Sequence, residues 1–213
     1  WREQLAGAPE SLDLPTDKQR PALQTFNGAT CEFSIPAESV SAIEKLCHAE
    51  QVTPFIALLA VFKVLLYRFS RQSDIVTGIT FSERSHEEFH SLIGFFVNTL
   101  ALRANVGDDQ SFKSFLREVR QNALAAYAHG DTPFELLAQE LNPARSLSHA
   151  PLFQVMFSLQ HEPVKVFGAA GFALEAVAVP NSAAKFDLSL SMLTSGGQIS
   201  GAFEYNTDLF ERE

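Results

Sequence analysis

A chain of 213 residues with a formal charge of −9 and a pI near 5.1 is a poor partner for nucleic acid or for an anionic membrane surface. Hydrophobic residues make up 46% of it and charged residues 19%, with 19 Phe, so it can bury a core, as one large domain or two small ones, and is not disordered. Its 2 cysteines, Cys31 and Cys47, make no disulfide framework and show no metal spacing, which favours a cytoplasmic protein.

The first residues, WREQLAGAPE, are polar and form no signal peptide, and the abrupt start at Trp1 suggests a chain cut from something longer. Residues 1–28 are Pro-rich and polar and read as a surface connector (LDLPTDKQRP). ATCEFSI (29–35) alternates as a strand, and 37–50 has helical spacing at Val40, Ile43, Leu46 and Cys47. Thr53-Pro54 is a helix start, and the helix runs to about Phe69. Lys63 and Arg68 interrupt that apolar run, which is also short for a membrane span, so it reads as a buried helix. DIVTGITF (74–81) and FFVNTLALR (95–103) are strands, the first almost wholly apolar. Residues 111–129 repeat apolar side chains at helical spacing from Phe112 to Tyr127. HGDTPFELLAQEL opens a second helix in which Thr132 and Glu135 form a capping box. Four strands follow, at 153–160, 172–179, 186–193 and 198–206, giving an α/β class with a mixed, mostly buried sheet flanked by helices.

Residues 86–90, HEEFH, match the zinc-protease signature: His86 and His90 one helical turn apart, Glu87 as general base. Ser85 and Glu88 could cap such a helix and Gly94 end it. A catalytic zinc needs a third protein ligand. No His follows at the extended spacing, and Glu118 is only loosely available as a Glu from a later helix. The pentapeptide therefore reads as a solvated turn leading into the strand at Phe95, with no metal. There is no G-x-S-x-G elbow and no Gly-rich phosphate loop. His129 and Asp131 could be a base and its orienter; at a helix start they read as a cap and a turn.

Several stretches carry a resemblance in chain order. IGFFVNTLALR (93–103) resembles the I-G-x-F-V-N-T motif of nonribosomal peptide synthetase condensation domains, HGDTPFE (129–135) their H-Q-D-x-P-F-E, and NPARSLSHAPLFQVMFSLQ (142–160) their R-D-x-S-R-x-P-L-F-Q. KFDLSL (185–190) and FEYNTDLFE (203–211) look like the closing segments, and LDLPTDKQRP like the connector opening the C-terminal half. Four departures are local: Gly130 for the Gln of His-Gln-Asp, Arg145-Ser146 for Arg-Asp, His149 for the Arg that follows it, and Gly78-Ile79-Thr80 for Gly-x-Pro.

The resemblance implies one lobe, 29–213 behind the 1–28 connector, of the two-lobed chloramphenicol-acetyltransferase-like fold. The activity it implies joins a carrier-bound donor thioester to the amine of a carrier-bound acceptor. No cofactor is bound directly; phosphopantetheine arms arrive on donor and acceptor peptidyl carrier proteins. The N-terminal lobe and an adjoining adenylation domain are the other expected partners. The family's catalytic His-His-x-x-x-Asp-Gly motif is absent from the chain, which leaves no catalytic residue here. The expected contribution is the acceptor-side wall of a tunnel between lobes. The motif and tunnel candidates are Gly94, Phe96, Asn98, Arg103, His129, Asp131, Pro133, Phe134, Arg145 and Asp187. Asn98 either lines the tunnel floor or satisfies loop backbone, and Arg103 is expected to pair with Asp131 or Asp187. Segment 78–94 should reach toward the partner lobe, and 161–186 should hold a crossing latch. The alternative function is a non-catalytic module that binds carrier proteins or scaffolds a synthetase.

Overall fold

The computed structural model describes residues 1–82, 84, 87–141, 146–161 and 182–212. Among them, six strands form one mixed sheet in the order β1-β6-β5-β4-β2-β3. β1 (Gly28–Ile35), β6 (Gln198–Asn206) and β5 (Leu188–Ser195) pair antiparallel. β4 (Val155–His161) runs parallel to both β5 and β2 (Asp74–Ser82), and β3 (Val97–Asn105) closes the far edge antiparallel to β2.

Helices α2 (Ala37–Glu50), α3 (Pro54–Ser70) and α4 (Phe112–Tyr127) cover one face. α3 starts where the sequence places it: Thr53 Oγ1 accepts from Ile56 N at 3.3 Å, with Pro54 in the first turn. It ends on Arg71 in the left-handed region, φ 61°, whose N–H returns to Tyr67 O. α4 is capped the same way by Ser111, whose Oγ accepts from Ser114 N at 3.2 Å. α2 and α3 meet at 109°, and no single helix among the described residues is long and apolar enough to cross a membrane. Phe62 is buried on α3 with Phe157 at 5.8 Å and Phe203 at 6.3 Å between ring centroids. Each such buried ring contributes about 1.5–3 kcal/mol.

Among the described residues, the opposite face is covered over β2 and β3. There α1 (Arg2–Leu5), α5 (Phe134–Leu141) and Phe153 form a second cluster around Leu5, Val76, Ala101 and Leu137. Gly78 belongs to it: a β-carbon there would overlap the Phe153 ring, which also meets Phe134 at 5.3 Å and Phe186 at 5.4 Å.

Most elements fall within two residues of their expected bounds. The strand expected at 95–103 begins at Val97, because Phe95 is 89% exposed and Phe96 turns to stack on Phe89. The connector does run over a surface, but α1 forms in it and Leu5 and Leu12 anchor it in the core. The strand expected at 172–179 lies outside the described residues.

Candidate functional site

Asn98 is the most engaged of the motif residues. It enters the helix-covered side of β3 with Leu100 and Leu102 and is 8% exposed. Its Nδ2 donates to Gly130 O and Thr132 O, both at 2.7 Å, and its Oδ1 accepts from Thr99 N at 2.8 Å and Phe134 N at 3.3 Å. An amide offers two donors and two acceptor sites, so all of its capacity is spent on backbone. The helix cap expected from Thr132 is thereby supplied from another element, since Asn98 takes the first free N–H of α5. Of the two roles open to it, satisfying loop backbone is the one its hydrogen bonds perform. Gly130 lies against Phe81, which stacks on Tyr127 at 5.3 Å; any β-carbon at 130 would overlap that ring. The Gly that replaces the motif's Gln therefore has a packing reason.

The remaining candidates separate. Arg103 lies toward the other end of β3. Its fork takes Asp74, Nε to Oδ1 at 2.9 Å and Nη2 to Oδ2 at 2.7 Å, with Nη1 on Ala6 O at 2.8 Å and Gln4 O at 3.1 Å. The expected pairing with Asp131 or Asp187 is corrected: register sets Asp74 opposite Asn105, beside Arg103's partner Val76, well within the fork's reach. Asp187, 4% exposed, is held instead by Arg20 of the connector, Nη1 to Oδ1 at 3.1 Å and Nη2 to Oδ2 at 2.5 Å. His129 and Asp131 are exposed in the turn before α5, and Trp1 Nε1 donates to His129 O at 3.0 Å. Pro133 is exposed, its carbonyl accepting from Leu137 N, and Phe134 packs on Phe153. Arg145 lies outside the described residues, as does all but the ends of the 161–186 segment.

The zinc reading finds no support in the local geometry. Glu87–Phe89 form a single 3-10 turn instead of an α-helix, and His90 Nε2 lies 3.2 Å from Arg84 O. Glu118, the loosely available third ligand, accepts from Asn105 N and Gln110 Nε2, both at 3.1 Å. Among the described residues no group of three or more His, Cys, Asp or Glu could hold a metal ion; His86 is not among them. The same loop is braced by Arg84, whose guanidinium lies 4.3 Å from the Phe96 ring centroid and donates to Leu92 O at 2.9 Å and to Phe89 O. Gly94 allows the close approach of Phe96, while Ile93 and Phe95 point outward, 105% and 89% exposed. Both are exposed apolar side chains on an internally braced loop.

A wider surface has no motif to announce it in the sequence. Over β4, β5, β6 and β1 the face away from the helices has no helical cover among the described residues. Register aligns Ser158, Ser191, Ala202 and Glu32 in one row and Gln160, Leu193, Ser200 and Ser34 in the next. Ser158 Oγ donates to Ser191 Oγ at 3.1 Å, and the rows line a shallow depression of ≈ 540 Å³. Small hydroxyls alternating with core residues is the period-2 signature of a strand with one wet face, visible in DLSLS and in QISGA. Gln154, inside the PLFQ stretch, has a role that the motif does not reveal. It is 2% exposed; its Oε1 accepts from Leu12 N at 2.9 Å and its Nε2 donates to Ala150 O at 2.9 Å, pinning the connector to the start of β4.

The likeness to known proteins extends over the whole chain. The family model described as Condensation domain matches residues 1–213. A linear gramicidin synthase from Brevibacillus parabrevis is 45% identical over 213 residues, covering 99% of this chain and 3% of that protein. Malpinin synthetase from Mortierella alpina is 41% identical over 212 residues, covering 100% of this chain and again 3% of the relative, so the chain spans a small part of each. A four-domain nonribosomal peptide synthetase bound to AMP and glycine superposes with a TM-score of 0.92 at 25% identity, over 99% of this chain and 17% of the other. The X-domain from teicoplanin biosynthesis superposes with a TM-score of 0.88 at 25% identity, over 100% of this chain and 49% of that one, and has also been solved in complex with OxyB. The mixed sheet flanked by helices is the chloramphenicol-acetyltransferase-like architecture of these neighbours.

Proposed function

The chain belongs to the condensation-domain family, and on that footing we propose that it forms the acceptor-side lobe of a domain that makes amide bonds in a nonribosomal peptide synthetase. In the reaction, the acceptor amine attacks the donor thioester carbon; a C–N bond forms, the C–S bond breaks, and the amine's proton is removed as the pantetheine thiol leaves. The base would be the His-His motif of the other lobe, since this chain has no adjacent His pair.

The observation that carries the reading is the half-covered sheet. Among the described residues, one face is closed by α2, α3 and α4, while the other is roofed over β2 and β3 and elsewhere presents hydroxyls and an amide, with Glu32 beside them. A wall dominated by hydroxyls and an amide, with Glu32 at its β1 side, suits the amide-rich arm of a carrier protein, which needs hydrogen bonds. The exposed Ile93 and Phe95 supply an apolar contact for the facing lobe.

The test is reconstitution. Loaded donor and acceptor carriers are incubated with the chain alone and with a separately made lobe bearing the His-His motif. Amide product is expected only in the mixture; product from the chain alone, at a rate above background, overturns the assignment. A second reading is favoured by the X-domain likeness, since that domain is solved in complex with OxyB. In that case the chain is a docking module that binds a partner protein and leaves condensation unchanged in the mixture.

A further inference from the structure

One charged side chain sits in the driest part of the core. Lys63 is 1% exposed in the middle of α3, beside Phe62 and Leu66. Its Nζ donates to Leu102 O on β3 at 2.8 Å, and to Thr77 Oγ1 at 3.1 Å and Ile75 O at 3.2 Å on β2. The amine therefore closes the seam where α3 lies across the β2–β3 hairpin. All three partners are neutral. The charged groups that act on it do so from further away: Asp74 at the head of β2 and Glu118 on α4, both favouring the ammonium. Asp74 is gripped by Arg103 of β3, and Glu118 is occupied by Asn105 N and Gln110. α2, also packed on α3, carries Glu50, which Lys113 and Arg117 of α4 already bind. Burial outweighs the two carboxylates and brings the Lys63 amine down to about 7.

The geometry suits both protonation states. An ammonium donates to all three oxygens. A neutral amine donates to the two carbonyls and accepts from the Thr77 hydroxyl, which has only to turn its hydrogen. Neither state leaves a buried group without a partner, so the proton can leave without the seam coming apart.

We propose that Lys63 is a proton-exchanging clasp between α3 and the β2–β3 hairpin, through which pH sets the cohesion of that seam. The direction follows from linkage. The folded-state value lies below the ordinary 10.5, so between about 7 and 10.5 the unfolded chain holds one proton more than the folded one. Stability from this group therefore rises with pH across that window and is flat below it. One proton corresponds to about a tenfold drop in the unfolding constant per pH unit.

The chain is labelled with 13C at lysine Cε and titrated by NMR from acid to alkaline pH. Replacing Lys18, Lys45, Lys113, Lys165 and Lys185 by Arg one at a time assigns the Lys63 signal by elimination, with Lys63 itself untouched. It is expected to titrate near 7, well below the ordinary lysine value of 10.5. A Lys63 signal that titrates at the ordinary lysine value of 10.5, or that stays charged throughout, overturns the proposal. Lys63→Met should also flatten the rise of stability with pH above 7; a profile parallel to the native one overturns it equally. Should that variant fail to fold, the titration of the native chain decides alone.

Discussion

Replacing Asn98 separates a structural knot from a substrate contact. Asn98→Ala deletes four hydrogen bonds, to Gly130 O, Thr132 O, Phe134 N and Thr99 N. A buried hydrogen bond contributes about 0.5–1.5 kcal/mol net, and an orphaned partner costs about 1–3. Gly130 is buried and its carbonyl would be stranded, while Thr132 and Phe134 are half-buried and water can serve them. The expected loss is about 2–4 kcal/mol. Asn98→Asp is worse at neutral pH, because it turns an acceptor toward two carbonyl oxygens that now receive donors at 2.7 Å. Those oxygens favour the neutral acid, so the new carboxyl's pKa is raised in the folded state above its unfolded value of about 3.9. The folded variant then holds its proton more tightly than the unfolded one, and its stability recovers as pH falls through the raised value. The alanine variant has no such recovery. Urea unfolding of both variants at pH 8 and pH 5 reads the difference. An alanine variant within about 0.5 kcal/mol of native stability that nonetheless abolishes condensation would refute the reasoning and return Asn98 to the tunnel floor.

Gly78→Ala forces a methyl group into the Phe153 ring and should cost about 1–3 kcal/mol in thermal or urea unfolding, with Phe153→Leu relieving most of it. Gly130→Gln should lose a similar amount by displacing Phe81 from Tyr127, and a Phe81→Ala partner change should recover part of it in the same assay. Asp74→Asn weakens a half-exposed fork and should lower stability by only about 1 kcal/mol, yet it should speed limited proteolysis of residues 1–10, because Arg103 is what ties α1 to β3. Elemental analysis after dialysis should find no stoichiometric zinc, in the native chain or in His86→Ala.

The helices are legible in the sequence because their signals are local. Thr53-Pro54 and the Phe112-to-Tyr127 spacing need no neighbour to be understood, and the structure keeps both. What the sequence hides is pairing across the chain. Arg103 cannot be assigned to Asp74 without the β2–β3 register, nor Asp187 to Arg20 without the path of the connector. The cap of α5 escapes for the same reason: Thr132 is adjacent, but Asn98 comes from a strand 36 residues earlier. Lys63 breaks an apolar run in plain view, and only the fold discloses that three oxygens meet it. The open hydroxyl face is a sum of strand faces, and it has no motif until the strand order is known.

The central claim is that this open face is the substrate side of the lobe, and Ser191, exposed at its centre, tests it. In a Cys31→Ala background, with Cys47 buried, Ser191→Cys supplies a single accessible thiol on the face. The condensation rate of the chain mixed with its His-His-bearing lobe is measured before and after alkylating that thiol with a bulky maleimide. The account predicts near-native turnover before alkylation and a loss of at least about tenfold after it, equivalent to about 1.4 kcal/mol of barrier. Undiminished turnover by the fully alkylated variant would contradict it.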